Sequence, residues 1–305
     1  MPSIRSHLFR LFIRHSLRKG ERQDLHTRRQ NVDLNARRFP NANGVQIVPV
    51  VAGASPAEWL IPEGELPNSA VLYLHGGAYV CGSLDSHRCL ASHIAATSKV
   101  RVLLVDYRLA PEHPYPAAVD DAVIAFEWIK HTQRLHADRI VVMGDSAGGG
   151  LTLAMAIRMR DGSQDLPRAL ICLSPWTDLS LSGETIESLI EKDPFFNTTR
   201  QLAEAAADYA GGAPLTTAQI SPKFDSLERL PPLFIQVGSD EILLSDSLDL
   251  VRVARAAGLE VHIDVWQGMW HVWQFFFTWM PEARDAVHEV GRRIQGYLSE
   301  TPVKH

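Results

Sequence analysis

The chain has 305 residues, 46% hydrophobic and 21% charged, with a formal net charge of -5: an ordinary globular composition with enough length for one large core or two small ones. That charge argues against nucleic acid as the main partner, because neutralising phosphates needs a basic face. Three cysteines, Cys81, Cys89 and Cys172, form neither a C-x-x-C pair nor an even framework, which argues against a disulfide scaffold or a zinc site and fits a reducing cytoplasm.

The first forty residues differ from the rest. They hold ten Lys or Arg against Glu21, Asp24 and Asp33, a net of +7, which leaves the remainder at -12. The opening MPSIRSHLFRLFIRHSLRKG places Arg5, Arg10, Arg14 and Arg18 near helical spacing, with Ile4, Leu8, Leu11, Phe12 and Ile13 between them. Arginines interrupt any apolar run and no small-residue cleavage site follows, so neither a signal peptide nor a membrane span is expected here. The spacing predicts an amphipathic helix covering the body of the same protein, with membrane-surface contact as the alternative.

Next come VQIVPVVA (45–52) and AEWLIPE (57–63), which read as an antiparallel hairpin. Short β-rich runs then recur: AVLYLHGG (70–77), VRVLLVDYR (100–108), RIVVMGDS (139–146), ALICLSPW (169–176), LFIQVGSD (233–240) and VHIDVWQG (261–268). Segments such as AVDDAVIAFEWIKHT and SDSLDLVRVARAAG between them repeat apolar residues at three- and four-residue spacing. Alternating strands and helices predict an α/β fold with a mainly parallel sheet covered on both faces, so its strands are apolar runs. One interval, 181–220, breaks the rhythm: TIESLIEKDPFF and TRQLAEAAADYAGG read as helices and no strand is expected. The expected organisation is a catalytic core over 40–180 and 221–305, and a helical cap from 1–39 and 181–220 above the carboxyl ends of the strands.

The chemistry centres on VVMGDSAGGG (141–150). A strand ending in Gly144-Asp145-Ser146-Ala147-Gly148 and running into LTLAMAIRMR is a nucleophile-elbow pattern. A serine hydroxyl needs a base oriented by a carboxylate. Among thirteen histidines His271 stands out, because it follows the strand at 261–268 by a short loop and precedes a helical VWQFFFTWMPEA. His262, inside that strand, is expected to pack or pair locally. The carboxylate is ambiguous: Asp240, Glu241 and Asp246 all follow one strand, and adjacent residues cannot both aim at one imidazole. A second glycine-rich turn, YLHGGAYVCGS (73–83), lets Gly76 and Gly77 present amides to an oxyanion, with Ala147 as a third donor.

Taken in order, HGGAYVCGS, DYRLAPEHPYPAAVDD, GDSAGGGL, CLSPWTDLS, PPLFIQVGSDE and GMWHVWQF resemble the hormone-sensitive-lipase-like bacterial esterases of the α/β-hydrolase fold, from about residue 40 to 295. The resemblance implies Ser146 as nucleophile, His271 as base and Gly76, Gly77 and Ala147 as oxyanion donors. It also selects the acid. The family pattern is a proline, eight intervening residues, then an aspartate followed by Pro-Leu; counting from Pro232 reaches Glu241, followed by Ile242 and Leu243. Two departures are Glu241 itself and Ala78 in place of a third glycine, whose methyl group narrows the room for bulky alcohol groups. His75 and Asp145 are expected to hold loops, and Arg108 to pair with Glu112.

The expected activity is hydrolysis of small, uncharged, short- to medium-chain carboxylic esters through an acyl-enzyme, with no metal or cofactor. Phe195, Phe196 and Tyr209 of the cap are expected to bound an apolar pocket. A lactone hydrolase on the same triad is the alternative, and a non-catalytic ligand-binding module of this fold is the rival from another class. A homodimer through the last strand is expected from the family.

Overall fold

The computed structural model describes residues 2–17 and 23–299, so Arg18, at the end of the opening basic run, lies outside the described residues. Two helices, α1 (Ile4–Leu17) and α2 (Leu25–Ala36), precede the hairpin of β1 (Val45–Ala52) and β2 (Ser55–Pro62). Then follow β3 (Ala70–Leu74), α3 (Leu84–Ser98), β4 (Arg101–Val105), α4 (Ala117–Gln133), β5 (Ile140–Asp145), α5 (Ala147–Asp161) and β6 (Ala169–Leu173). The strandless interval holds α6 (Thr185–Ser188) and α7 (Arg200–Ala210), and the last described elements are β7 (Leu233–Gly238), α8 (Leu244–Ala256), β8 (Val261–Trp266) and α9 (Pro281–Ser299).

The eight strands among the described residues form one sheet, ordered β1-β2-β4-β3-β5-β6-β7-β8. β1 and β2 pair antiparallel, as do β2 and β4, and every later pair is parallel. In β3, β5, β6 and β7 every residue is buried, as expected of strands covered on both faces, whereas the edge strand β8 is half-exposed. Period two sorts β3 between two cores. Leu72 and Leu74 join Phe126 and Leu151 on one face, while Val71 and Tyr73 join Ile94 and Val290 on the other. Each fully buried leucine of these layers contributes roughly 1.5–3 kcal/mol relative to exposure.

β4 and β5 flank β3 on opposite sides, so the chain reverses its direction of winding there. The loops leaving β3 and β5 diverge at such a switch point and open a crevice at the carboxyl ends of the strands. Both glycine-rich turns lie at it.

Two expected helices are shorter than their spacing indicates. TIESLIEKDPFF is helical only over Thr185–Ser188. Pro194 disfavours helix at Asp193, whose carboxylate instead accepts the amide of Phe195 (3.0 Å) and reaches across to that of Ile242 (3.2 Å). After His271, VWQFFFTWMPEA gives a single 3-10 turn, Trp273–Phe276, because Val272 sits at φ +46° and the helix restarts only at Pro281. Arg108 also departs from expectation. It grips Asp121 on α4 through its backbone amide and guanidinium, whereas Glu112 is held by both terminal nitrogens of Arg29 from α2, at 2.8 Å each. Among the described residues no helix is long and apolar enough to cross a membrane.

Candidate active site

β5 delivers Ser146 at its carboxyl end with φ +53° and ψ -121°, a strained conformation for a side-chain-bearing residue. The elbow is tied on both sides: the Ser146 amide donates to Leu173 O (2.8 Å), and its carbonyl accepts from Trp176 N (2.9 Å). Gly148 is what lets α5 start so close to the sheet, since a Cβ there would lie 2.0 Å from Leu74 O. The amide of Ala147, first residue of α5, makes no hydrogen bond among the described residues and stands at the positive end of the helix.

β8 and its following loop bring His271 to the serine. The Ser146 hydroxyl donates to Nε2 at 3.0 Å, and Glu241 Oε1 lies 3.5 Å from Nδ1. That second contact is long for a hydrogen bond, and contacts of this kind tighten when substrate closes a site. It nonetheless assigns the tautomer: with a carboxylate on Nδ1, the proton sits there and Nε2 is free to accept. Burial alone would lower the imidazole pKa, but the hydrogen bond and charge of Glu241, joined by the charges of Asp193 and Asp145, outweigh it and leave His271 above the usual histidine value.

Of the three candidate carboxylates, Glu241 is the one that reaches the imidazole. It is fully buried just beyond β7, and its other oxygen accepts from Ser174 Oγ (2.7 Å) and Gly238 N (2.8 Å). Asp240 turns the other way and pairs with Arg10 of α1 (2.8 Å). Asp246, inside α8, accepts the amides of Thr177 and Asp178 at 2.9 Å each, and so fastens the loop after β6. His262 meets Asp264 at 3.1 Å within β8.

The first glycine-rich turn divides its amides. That of Gly76 donates to Asp145 Oδ1 (3.1 Å), so it faces the protein interior, whereas those of Gly77 and Ala78 make no hydrogen bond among the described residues. Gly77 holds φ +119°, and a Cβ there would lie 2.2 Å from Cys81 O. Ala78 is left-handed at φ +56° despite its side chain, at a cost of about 1 kcal/mol. Beneath the turn, Asp145 also accepts from Tyr73 OH (2.8 Å) and lies 3.3 Å from His87 Nε2. Burial pushes His75 down to about 3, so it is neutral here, stacked on Tyr107. Both side chains hold the loop.

Phe196 and Phe195 lie 5.2 and 6.3 Å from the His271 ring, centroid to centroid, and form an aromatic wall above it. Tyr209 of α7 is placed otherwise than expected. It is fully buried and stacks on Tyr79 (3.7 Å, 6° between planes), behind the turn that carries Gly77 and Ala78 rather than on the pocket surface. Among the described residues no cluster of His, Cys, Asp and Glu could hold a metal ion.

Sequence reasoning missed two residues that set this geometry. Ser174 donates to Glu241 while accepting from Val272 N (3.2 Å), which links the acid to the histidine loop. Its only signal was its place as the first residue after β6. Asp193 bridges the wall and the acid, since it holds the amides of Phe195 and Ile242. Burial pushes its carboxyl up to about 7 against the pull of His271, and the Glu241 charge adds to the rise. Asp193 in turn helps to raise the His271 pKa. Asp193→Asn is therefore expected to lower kcat severalfold and to move the acid limb of the kcat/KM profile to lower pH. A purely structural role for Asp193 would leave that limb in place.

An elbow serine after β5, an acid after β7 and a histidine after β8, on a sheet that reverses at β3, define an α/β hydrolase; a family model described as alpha/beta hydrolase fold matches residues 71–275. Within that family the chain belongs to the hormone-sensitive-lipase group of bacterial esterases. It is 38% identical over 251 residues to an acetyl-hydrolase of Streptomyces hygroscopicus, covering 82% of this chain and 83% of that one. It is 35% identical to an esterase of Acinetobacter venetianus, over 85% of each chain. A crystal structure of an esterase from the bacterial hormone-sensitive lipase family superposes with a TM-score of 0.93 at 36% identity, over 98% of this chain and all of that one. EstE5 soaked in p-nitrophenyl butyrate gives 0.93 at 35% identity, with the same coverage. The protein is a carboxylic ester hydrolase, and the relatives do not favour the binding-module reading.

Proposed function

We propose that ester hydrolysis runs through an acyl-enzyme on Ser146. His271 takes the hydroxyl proton and returns it to the leaving alcohol, Glu241 holds the imidazole, and water repeats the path. The observation that carries this reading is the 3.0 Å contact between Ser146 Oγ and His271 Nε2. For the oxyanion, the amides of Gly77, Ala78 and Ala147, unpaired among the described residues, support a three-donor site; the amide of Gly76, hydrogen-bonded to Asp145, supports the loop instead. We read α1, α2 and the 181–220 segment as the cap. The Phe195 and Phe196 wall beside the imidazole fits small, uncharged, short- to medium-chain esters, in keeping with the named acetyl-hydrolase relative and the butyrate-soaked EstE5. Three free, buried cysteines support a reducing compartment, and β8, paired on one side only, is the edge along which a homodimer would form.

The test is a stopped-flow panel of 4-nitrophenyl esters from acetate to laurate, with γ- and δ-lactones alongside. A burst of about one nitrophenolate per chain with butyrate, and declining rates beyond about eight carbons, is expected. Absence of turnover on every ester would overturn the reading, and lactone rates tenfold above all esters would reassign the substrate to cyclic esters.

A further inference from the structure

The expectation that α1 simply covers the body holds for one of its faces. Ser6 and Ile13 are buried and Phe9 packs against Phe276 and Trp279, but the opposite face is built from Ile4, Leu8, Leu11 and Phe12, which are 80%, 61%, 63% and 58% exposed. At 100° per residue these four fall within one arc of about 100°, a stripe roughly 12 Å long. Cations border it on both sides, Arg5 on one and Arg14 on the other, and α1 has no acidic residue. Among the described residues Arg14 makes no ion pair and Arg5 makes only a 3.4 Å contact to Trp279 O. The surrounding first forty residues carry a net +7 on a chain that is otherwise acidic.

We propose that this face of α1 docks on an anionic lipid surface. The apolar stripe would enter the headgroup boundary while Arg5 and Arg14 meet lipid phosphates, the division of labour of an interfacial helix. A second copy of the chain fits less well, because an isologous contact through this stripe would set arginine against arginine with no acid in the helix to offset them. Docking would also place the crevice beside the lipid. Arg10, on the inward side of α1, binds Asp240 and Gly268 O (2.7 Å), and so fixes the helix to the two loops that carry Glu241 and His271. That consequence rests on the esterase reading; the docking itself does not.

Co-sedimentation of the full chain with sucrose-loaded vesicles reads docking without reference to catalysis. At about 50 mM salt, vesicles with one-third phosphatidylglycerol are expected to bind the parent at least tenfold more tightly than phosphatidylcholine alone, and about 0.5 M salt should remove most of that difference. Leu8→Glu with Leu11→Glu should weaken binding to the anionic vesicles at least tenfold, with unchanged circular dichroism and thermal midpoint. Arg5→Gln with Arg14→Gln should reduce the preference for anionic lipid while leaving the fold intact. Equal sedimentation of parent and leucine variant, or of both vesicle types, would overturn the proposal. So would a parent dimer that the leucine variant converts to monomer with no change in lipid binding, which would give the stripe to a second copy.

Discussion

Ser146→Ala is expected to lower kcat for 4-nitrophenyl butyrate by roughly 10⁶-fold, the scale on which serine hydrolases lose rate when the nucleophile is removed. The substitution deletes one oxygen from a position whose backbone is already fixed by Leu173 O and Trp176 N, so folding should survive. Activity above water should also survive at a low level, because the amides of Gly77, Ala78 and Ala147 still face the reacting carbonyl in the proposed site. The measurement is steady-state hydrolysis on protein freed of parent contamination, with labelling by a fluorophosphonate as the second readout. The parent should gain one label, on Ser146, and the variant none. A variant that retains more than about one-tenth of parent activity would remove Ser146 from the mechanism.

The second large effect separates two neighbouring carboxylates. Glu241→Gln keeps the shape of the side chain but offers an amide where Nδ1–H needs an acceptor, so the imidazole can turn to the wrong tautomer; a loss on the order of 10⁴ in kcat is expected. The pH profile should move as well. In the proposed mechanism His271 must be unprotonated to take the proton of Ser146, so the rate should fall as pH drops through its pKa. Burial pulls that pKa down, while Glu241 pulls it up with help from Asp193 and Asp145; with Gln the pull of Glu241 goes, and the residual activity should extend to lower pH than that of the parent. Asp240→Asn should cost less than about threefold, because Asp240 faces Arg10 and not the imidazole. A larger loss for Asp240→Asn than for Glu241→Gln would reverse the assignment.

The three carboxylates after β7 show how far a one-dimensional pattern reaches. Period two says that Asp240 and Glu241 diverge; it does not say which side the histidine is on. The decision comes from two elements remote in sequence. Ser174 from the end of β6 draws Glu241 inward, and Arg10 from α1 draws Asp240 outward. Similarly, Gly-Gly after β3 indicates a turn with free amides, but only the position of Asp145, one residue before the serine, shows that the Gly76 amide turns inward while those of Gly77 and Ala78 stay unpaired among the described residues.

The sequence by itself determined the strands, most of the helices, the elbow at Ser146 and the loop bearing His271. Those features depend on periodicity, on glycine's conformational freedom and on side-chain type, all of which are local properties of the chain. Tertiary structure alone decided the strand order that makes β3 the switch point, the stacking of Tyr209 on Tyr79, the bridge that Asp193 makes between the aromatic wall and the acid, and the outward face of α1. Each depends on which distant surface an element meets: an amphipathic spacing specifies two faces of a helix, and packing specifies which one is covered.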